Sequence, residues 1–373
     1  VGKTVSSPGF TPLLSSSKFK SYLVFRKQDQ YAKGMTGPFL KALSGHVLSK
    51  PPIWLMRQAG RYLPEYKAVR SETSDFISFC LDPERASTVT MQPIERFGFD
   101  AAIVFADILL VPMMFGQDVR FEEGIGPVMG FLPALDAVRD IDFSQTVTRI
   151  AAVSETVRRV RSRLSPDTAL IGFAGAPWTV LTYMMAPKGR RDHDHAIRQV
   201  YADPAAVQAW LDLLVEATAL YLKTQADAGA DVLQLFDSWS EGLSEPLFEM
   251  LVVQPHQNLI ARLRELGVTV PIIGFPRAAG GHYLHYASQV DVAAVGVDTS
   301  VPIAFGQMIQ THKPIQGNLD PLLLRAGGSA LDARVDAIKA GWGAAPFIFN
   351  LGHGILPDTP IAHVEQLIKR VRG

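Results

Sequence analysis

Two arginines four residues apart, Arg57 and Arg61, follow directly on the apolar run Ile53 to Met56, and Gly60 between them lets the chain turn sharply. A guanidinium is a planar fork that grips a carboxylate with two hydrogen bonds, so this pair suits a polycarboxylate ligand. It would equally suit a solvated rim. Asp107 ends a second apolar run that starts at Ala101, which puts a carboxylate among apolar side chains, either for chemistry or as the N-cap of the next helix. His353 stands between Gly352 and Gly354, where a ring is exposed and has little to pack against. Arg277, in Gly274-Phe275-Pro276-Arg277, faces the same region or lies on its rim. Tyr183 and Ser238, read singly, are core or capping groups.

These residues share one feature, which is that several lie just past the end of a short apolar run. Eight such runs recur, at Ile53 to Met56, Ala101 to Phe105, Ala169 to Phe173, Val232 to Phe236, Pro271 to Gly274, Ala293 to Val297, Pro314 to Gln316 and Phe347 to Leu351. Helical segments alternate with them. Asp82-Pro83-Glu84 places an N-cap before proline at the first helical position, and Asp358 precedes Pro360 and the amphipathic Ile361 to Val371. Ala205 to Ala228, Ser244 to Leu266 and Leu331 to Ala340 have helical spacing. Val119 to Met129, broken by Gly124, Gly126 and Pro127, reads as an extended excursion. The expected fold is one somewhat distorted (β/α)8 barrel of the TIM type, whose chemistry collects at the C-terminal ends of the strands.

Composition narrows the function classes. The 36 Lys+Arg and 36 Asp+Glu balance, so bulk electrostatics give no case for a nucleic-acid or membrane-surface protein. The single cysteine, Cys80, excludes an internal disulfide and a Cys-rich zinc site. A reducing, cytoplasmic setting is expected, with no uninterrupted apolar stretch of membrane-spanning length. Residues 1–34 are Ser-rich and basic, with six Lys and Arg against Asp29 alone. They read as an N-terminal extension, non-native or disordered, or else as a transit peptide, with residues 35–373 as one domain. Asp192-His193-Asp194-His195 has metal-ligand residue types but sits in a polar loop. Gly280-Gly281-His282 lacks phosphate-loop spacing, which leaves His282 as a loop residue.

The run Pro52-Ile53-Trp54-Leu55-Met56-Arg57-Gln58-Ala59-Gly60-Arg61 and the run Gly172-Phe173-Ala174-Gly175-Ala176-Pro177-Trp178-Thr179 resemble the two sequence patterns of the uroporphyrinogen decarboxylase family. The likeness extends from about Met35 to the C-terminus. It implies a homodimeric barrel that removes carbon dioxide from the four acetate arms of uroporphyrinogen to give coproporphyrinogen, with neither metal nor organic cofactor. It further implies that Asp107 lies beneath the macrocycle and accepts its pyrrole N–H groups, with Phe105, Ile108 and Leu109 supplying apolar surface near the rings. Arg57, Arg61, Tyr183, Ser238 and His353 are implied as substrate contacts, with Arg57 and Asp107 catalytic. Trp54 and Trp178 are expected to pack. The rivals are a methyltransferase of the related barrel superfamily, which commonly needs zinc held by His and Cys, and a porphyrinogen carrier without catalysis. Removing residues 1–34, which have neither the periodicity nor the apolar content of a barrel core, should leave the thermal melt cooperative. A truncated protein that no longer melts cooperatively would refute this.

Overall fold

The computed structural model describes residues 36–122, 124–186 and 193–373, so the extension at 1–34 and Asp192 of the Asp-His-Asp-His run lie outside the described residues. Seven of the eight expected runs are strands. In chain order the strands are β1 (Ala101–Ile103), β2 (Val119–Glu122), β3 (Gly126–Met129), β4 (Ala169–Gly175), β5 (Val232–Asp237), β6 (Ile272–Pro276), β7 (Ala294–Gly296), β8 (Ile315–Leu319) and β9 (Phe347–Leu351). All but β2 and β3 form one parallel sheet in the order β1-β4-β5-β6-β7-β8-β9. Every residue of β4, β5, β6, β8 and β9 is buried, as a parallel sheet covered on both faces requires. The expected excursion at Val119 to Met129 is the antiparallel β2–β3 hairpin, in which Val119 pairs with Met129.

The first expected strand is the exception. Ile53 makes a single parallel bridge to Phe349 in β9, flanked by Trp54 N donating to Phe349 O at 3.3 Å and Phe349 N donating to Pro52 O at 2.8 Å. On its other side Asp100 N donates to Ile53 O at 3.0 Å, and Ile53 N donates to Asp100 Oδ2 at 2.8 Å. Side chains then take the donors that a ladder would need. Leu55 N goes to Gln58 Oε1 at 3.1 Å and Met56 N to Asn350 Oδ1 at 3.0 Å, so the pairing stops and the chain turns.

Helices fill the intervals as their start signals indicate. Asp82 accepts from the N–H groups of Glu84 and Arg85 and caps Pro83–Phe97, which ends on left-handed Gly98. The last helix, Ile361–Arg372, departs from expectation, because Pro360 occupies its N-cap and Asp358 instead accepts from Arg325 Nη1 at 3.2 Å. Between Ser244 and Leu266 the helix widens into a π turn at Glu249–Val253, just before Pro255, which has no N–H to give to the preceding turn. Pro204–Asp227 is long and apolar enough to cross a membrane by length and composition. It is docked to the sheet, with Gln225 bonded to both the N–H and the C=O of Phe173 in β4. Trp54 and Trp178 pack as expected, fully buried, their indole N–H groups donating to Gln316 Oε1 and Trp239 O.

Close approach makes one glycine of the sheet informative. A Cβ on Gly274 in β6 would lie 1.9 Å from the hydroxyl of fully buried Tyr286. Gly274→Ala should therefore destabilise by about 1–3 kcal/mol through overpacking, measured by denaturant unfolding. An unchanged midpoint would mean that the Tyr286 ring moves freely.

Candidate active site at the strand ends

Arg57 sits on the turn that ends the Ile53 segment, with a left-handed backbone at φ 65°, a conformation an L-residue holds only when its surroundings impose it. The surroundings are visible. Asn350 in β9 holds Met56 N, Ile355 N donates to Met56 O at 2.9 Å, and Gln58 Nε2 reaches Ala101 O in β1 at 3.0 Å. Gly354 leaves room for the arginine stem, since a Cβ there would lie 2.3 Å from Arg57 Cδ. The Arg57 head is exposed.

Asp107 is half-buried just beyond β1. Its Oδ1 accepts from Leu109 N at 2.8 Å, so it is the N-cap of the 3-10 helix Ile108–Phe115, as the structural alternative required. Capping uses one oxygen. Burial raises its pKa from 3.8 to about 6, against the opposing pull of the Leu109 N–H and of the Arg57 charge. Of the apolar residues expected around it, Phe105 packs against Phe76, Phe79 and Tyr66, Ile108 is half-buried, and Leu109 is a core residue with no surface to offer.

His353 follows β9 with an exposed ring. Desolvation, then the charges of Arg57 and Arg277, lower its pKa to about 4, while Asp298 pulls the other way. The ring is therefore neutral at neutral pH. Arg57, Asp107, His353 and Arg277 thus belong to one electrostatic neighbourhood. Tyr183 packs edge-on to Trp239, the residue after Ser238, at 5.9 Å, and Ser238 O accepts from Arg277 Nη2 at 3.1 Å. Arg61 is exposed, and its charge acts on Tyr66, whose pKa burial, then Cys80, push up to about 12 against Arg70 and Arg61.

Several residues that sequence reading passed over organise this floor. Asp237, fully buried, accepts from Thr179 Oγ1 at 2.5 Å and lies 3.3 Å from His256 Nε2, whose Nδ1 lies 2.7 Å from Tyr286 OH. Its place at the last position of β5, beside Ser238, was the available signal. His282 is also more than a loop residue, since it stacks on Phe248 at 4.6 Å with Nε2 3.1 Å from Leu243 O. Among the described residues no group of three or more His, Cys, Asp or Glu side chains is placed to hold a metal ion. Cys80 is buried, and burial pushes its thiol pKa up.

Residues 36–373 match the model of the uroporphyrinogen decarboxylase family (URO-D). The chain belongs to that family. It is 56% identical over 338 residues to the uroporphyrinogen decarboxylase of Caulobacter vibrioides, covering 91% of this chain and 96% of the relative. With the Phenylobacterium zucineum protein of the same name it shares 55% over 335 residues, 90% of this chain and 96% of that one. Among solved structures a methyltransferase from Methanosarcina mazei has a TM-score of 0.73 at 18% identity, over 89% of this chain and 96% of that one, a likeness of fold alone. A B12-independent methionine synthase from Shewanella sp. W3-18-1 has 0.52 at 8% identity, over 78% and 85%. The two family patterns thus fall on the Arg57 turn and on β4 with the start of helix Pro177–Met185, two walls of the same mouth.

The raised Asp107 pKa makes a linkage prediction for this uroporphyrinogen decarboxylase family member. Stability associated with the protonated carboxyl is intact below about pH 4 and is lost as pH rises through about 6. Asparagine caps as well as aspartate, so Asp107→Asn should raise stability at pH 7.5 by on the order of 1–2 kcal/mol, discounted for partial exposure. The gain should vanish below about pH 4. Equal or lower stability at pH 7.5, measured by urea unfolding, would make Asp107 a cap and nothing more.

Proposed function

We propose that the chain removes carbon dioxide from the four acetate side chains of uroporphyrinogen III, giving coproporphyrinogen III in tetrapyrrole biosynthesis, without a cofactor. The observation that carries this reading is a half-buried carboxylate, Asp107, with its pKa at about 6 beside Arg57, in a chain of the uroporphyrinogen decarboxylase family. The same reading takes residues 35–373 as one (β/α)8 domain with the Ile53 segment as its eighth stave. It takes the protein as a cytoplasmic homodimer that binds neither nucleic acid nor membrane.

Decarboxylation needs a sink for the electron pair of the breaking C–C bond, and the pyrrole supplies it. Protonation of the ring carbon next to the acetate-bearing carbon gives an iminium-like ring, carbon dioxide leaves to give an exocyclic methylene, a second proton completes the methyl group, and the ring carbon gives back the first proton to restore the pyrrole. Asp107 accepts the pyrrole N–H groups, and its negative charge offsets the cation as it develops, in a site where water screens it little. Arg57 orients the reacting acetate. Arg61, Tyr183, Ser238 and His353 hold the other arms and the rings. His353 binds as a neutral ring, and an acidic arm beside it would raise its pKa and draw a proton onto it. The methyltransferase reading gains nothing from buried Cys80.

Anaerobic incubation with uroporphyrinogen should yield species with successively fewer carboxyl groups, and no product would overturn the reading. Arg57→Lys should lose most of its turnover, because a point charge cannot replace the fork; near-normal rates would remove bidentate geometry from the mechanism. In the free enzyme Asp107 is ionised above about pH 6, so kcat/KM should fall as pH drops through that value. Asp107→Asn should lower kcat by about a hundredfold or more and abolish that acid limb. A folded Asn variant with an unimpaired single-turnover rate would exclude the catalytic role.

A further inference from the structure

The loop after β6 carries the second left-handed residue other than glycine among the described residues, Ala278, at φ 60°. Arg57 carries the first. Such a conformation persists where neighbours over-determine it, and here each neighbour can be named. Ala278 N donates to Asp298 Oδ2 at 2.9 Å, and the same oxygen accepts from Tyr283 OH at 2.7 Å. Asp298 Oδ1 accepts from Ser300 N at 2.8 Å, and Asn318 Nδ2 donates to Asp298 O at 2.9 Å. On the other side of the turn Arg277 N donates to Asp237 O at 2.9 Å. Arg277 is therefore clamped at its own N–H and at that of the next residue, by two acidic residues whose side chains are themselves satisfied.

The guanidinium of Arg277 is less fully satisfied. Nη2 donates to Ser238 O at 3.1 Å and lies 3.5 Å from Glu241 Oε2, whose side chain is mostly exposed. Nε is buried with no hydrogen-bond partner. A buried, unmade N–H bond on an arginine is costly, and a carboxylate is the group that the fork fits. β6 and β9 are separated in the sheet by β7 and β8, yet the Arg277 charge acts on His353 past the end of β9.

We propose that Arg277 is a further substrate-carboxylate residue, gripping an acidic arm of the substrate opposite Arg57 with His353 between them, and that Asp298 is its positioning residue through Ala278. The inference rests on the decarboxylase reading above for the identity of the ligand, a macrocycle with acidic arms. On binding, the arm displaces Glu241 from Nη2.

The test is steady-state kinetics with uroporphyrinogen on melt-checked full-length variants, paired with NMR titration of the His353 ring. Arg277→Gln should raise KM about tenfold or more with kcat within about threefold, the signature of lost uniform binding. Arg277→Lys, which keeps the charge and a donor for Ser238 O, should fall between and serves if the Gln variant does not fold. Asp298→Asn should raise KM in the same direction. Adding Ala278→Gly, for which the left-handed backbone costs little, should recover at least half of that rise on a logarithmic scale, which a merely structural role for Asp298 would not produce. The His353 pKa should rise in Arg277→Gln. A KM within about twofold of wild type in folded Arg277→Gln would overturn the carboxylate role. Failure of Ala278→Gly to recover KM would overturn the positioning role. If wild type does not turn over uroporphyrinogen the ligand reading fails, while an unmoved His353 pKa in Arg277→Gln would separately overturn the placement of Arg277 across the mouth.

Discussion

The structure turns on seven residues, 52–58, that must extend the curled sheet and form the candidate-site turn at once. A wall needs backbone donors and acceptors on both sides, and Pro52, Ile53 and Trp54 supply them, towards Phe349 in β9 on one side and Asp100 on the other. A site needs the chain to leave the wall and present a side chain to the mouth. The changeover happens at Leu55 and Met56, whose N–H groups pass to the side chains of Gln58 and Asn350. Both backbone donors keep a partner through that exchange, at the cost of leaving Asn350 Nδ2 buried without one, and the chain then turns left-handed at Arg57. The cost of the arrangement is the ladder itself, reduced to one bridge.

Electrostatics of the mouth follow from the same geometry. Desolvation, and after it the charges of Arg57 and Arg277, keeps His353 neutral, while burial holds half-buried Asp107 partly protonated near pH 6. Neither titration is set by a close ion pair. Desolvation is the largest cause of both. The two left-handed residues other than glycine among the described residues, Arg57 and Ala278, stand at or beside these two arginines, which is where stored backbone strain is expected in a functional site.

Much of this was legible along the chain. Apolar runs alternating with capped helices specify a parallel barrel-like fold because each run can be buried only with helices on both faces, and seven of the eight runs became strands. The eighth read as a strand from its composition, but composition does not record that Gln58 and Asn350 would capture its N–H groups. Asp107 was legible as a carboxylate at a strand end, though not as both cap and titrating group, since the cap depends on local backbone and the pKa on packing from distant elements. Asp358 carried a cap signal that tertiary contact with Arg325 redirected.

Residue types and local spacing determined the order of elements and the set of groups able to bind carboxylates, because periodicity and turn chemistry act over a few residues, while the family came from the resemblance of two motif runs. Tertiary structure decided which of those groups share one space. It brought Arg277 and His353, 76 positions apart in the sequence, within electrostatic reach, and buried Asp237 against Thr179 and His256. Burial, and with it the protonation state of Asp107 and His353, is a sum over atoms from many segments. No stretch of the chain contains that sum until the sheet has curled and the strand ends have met.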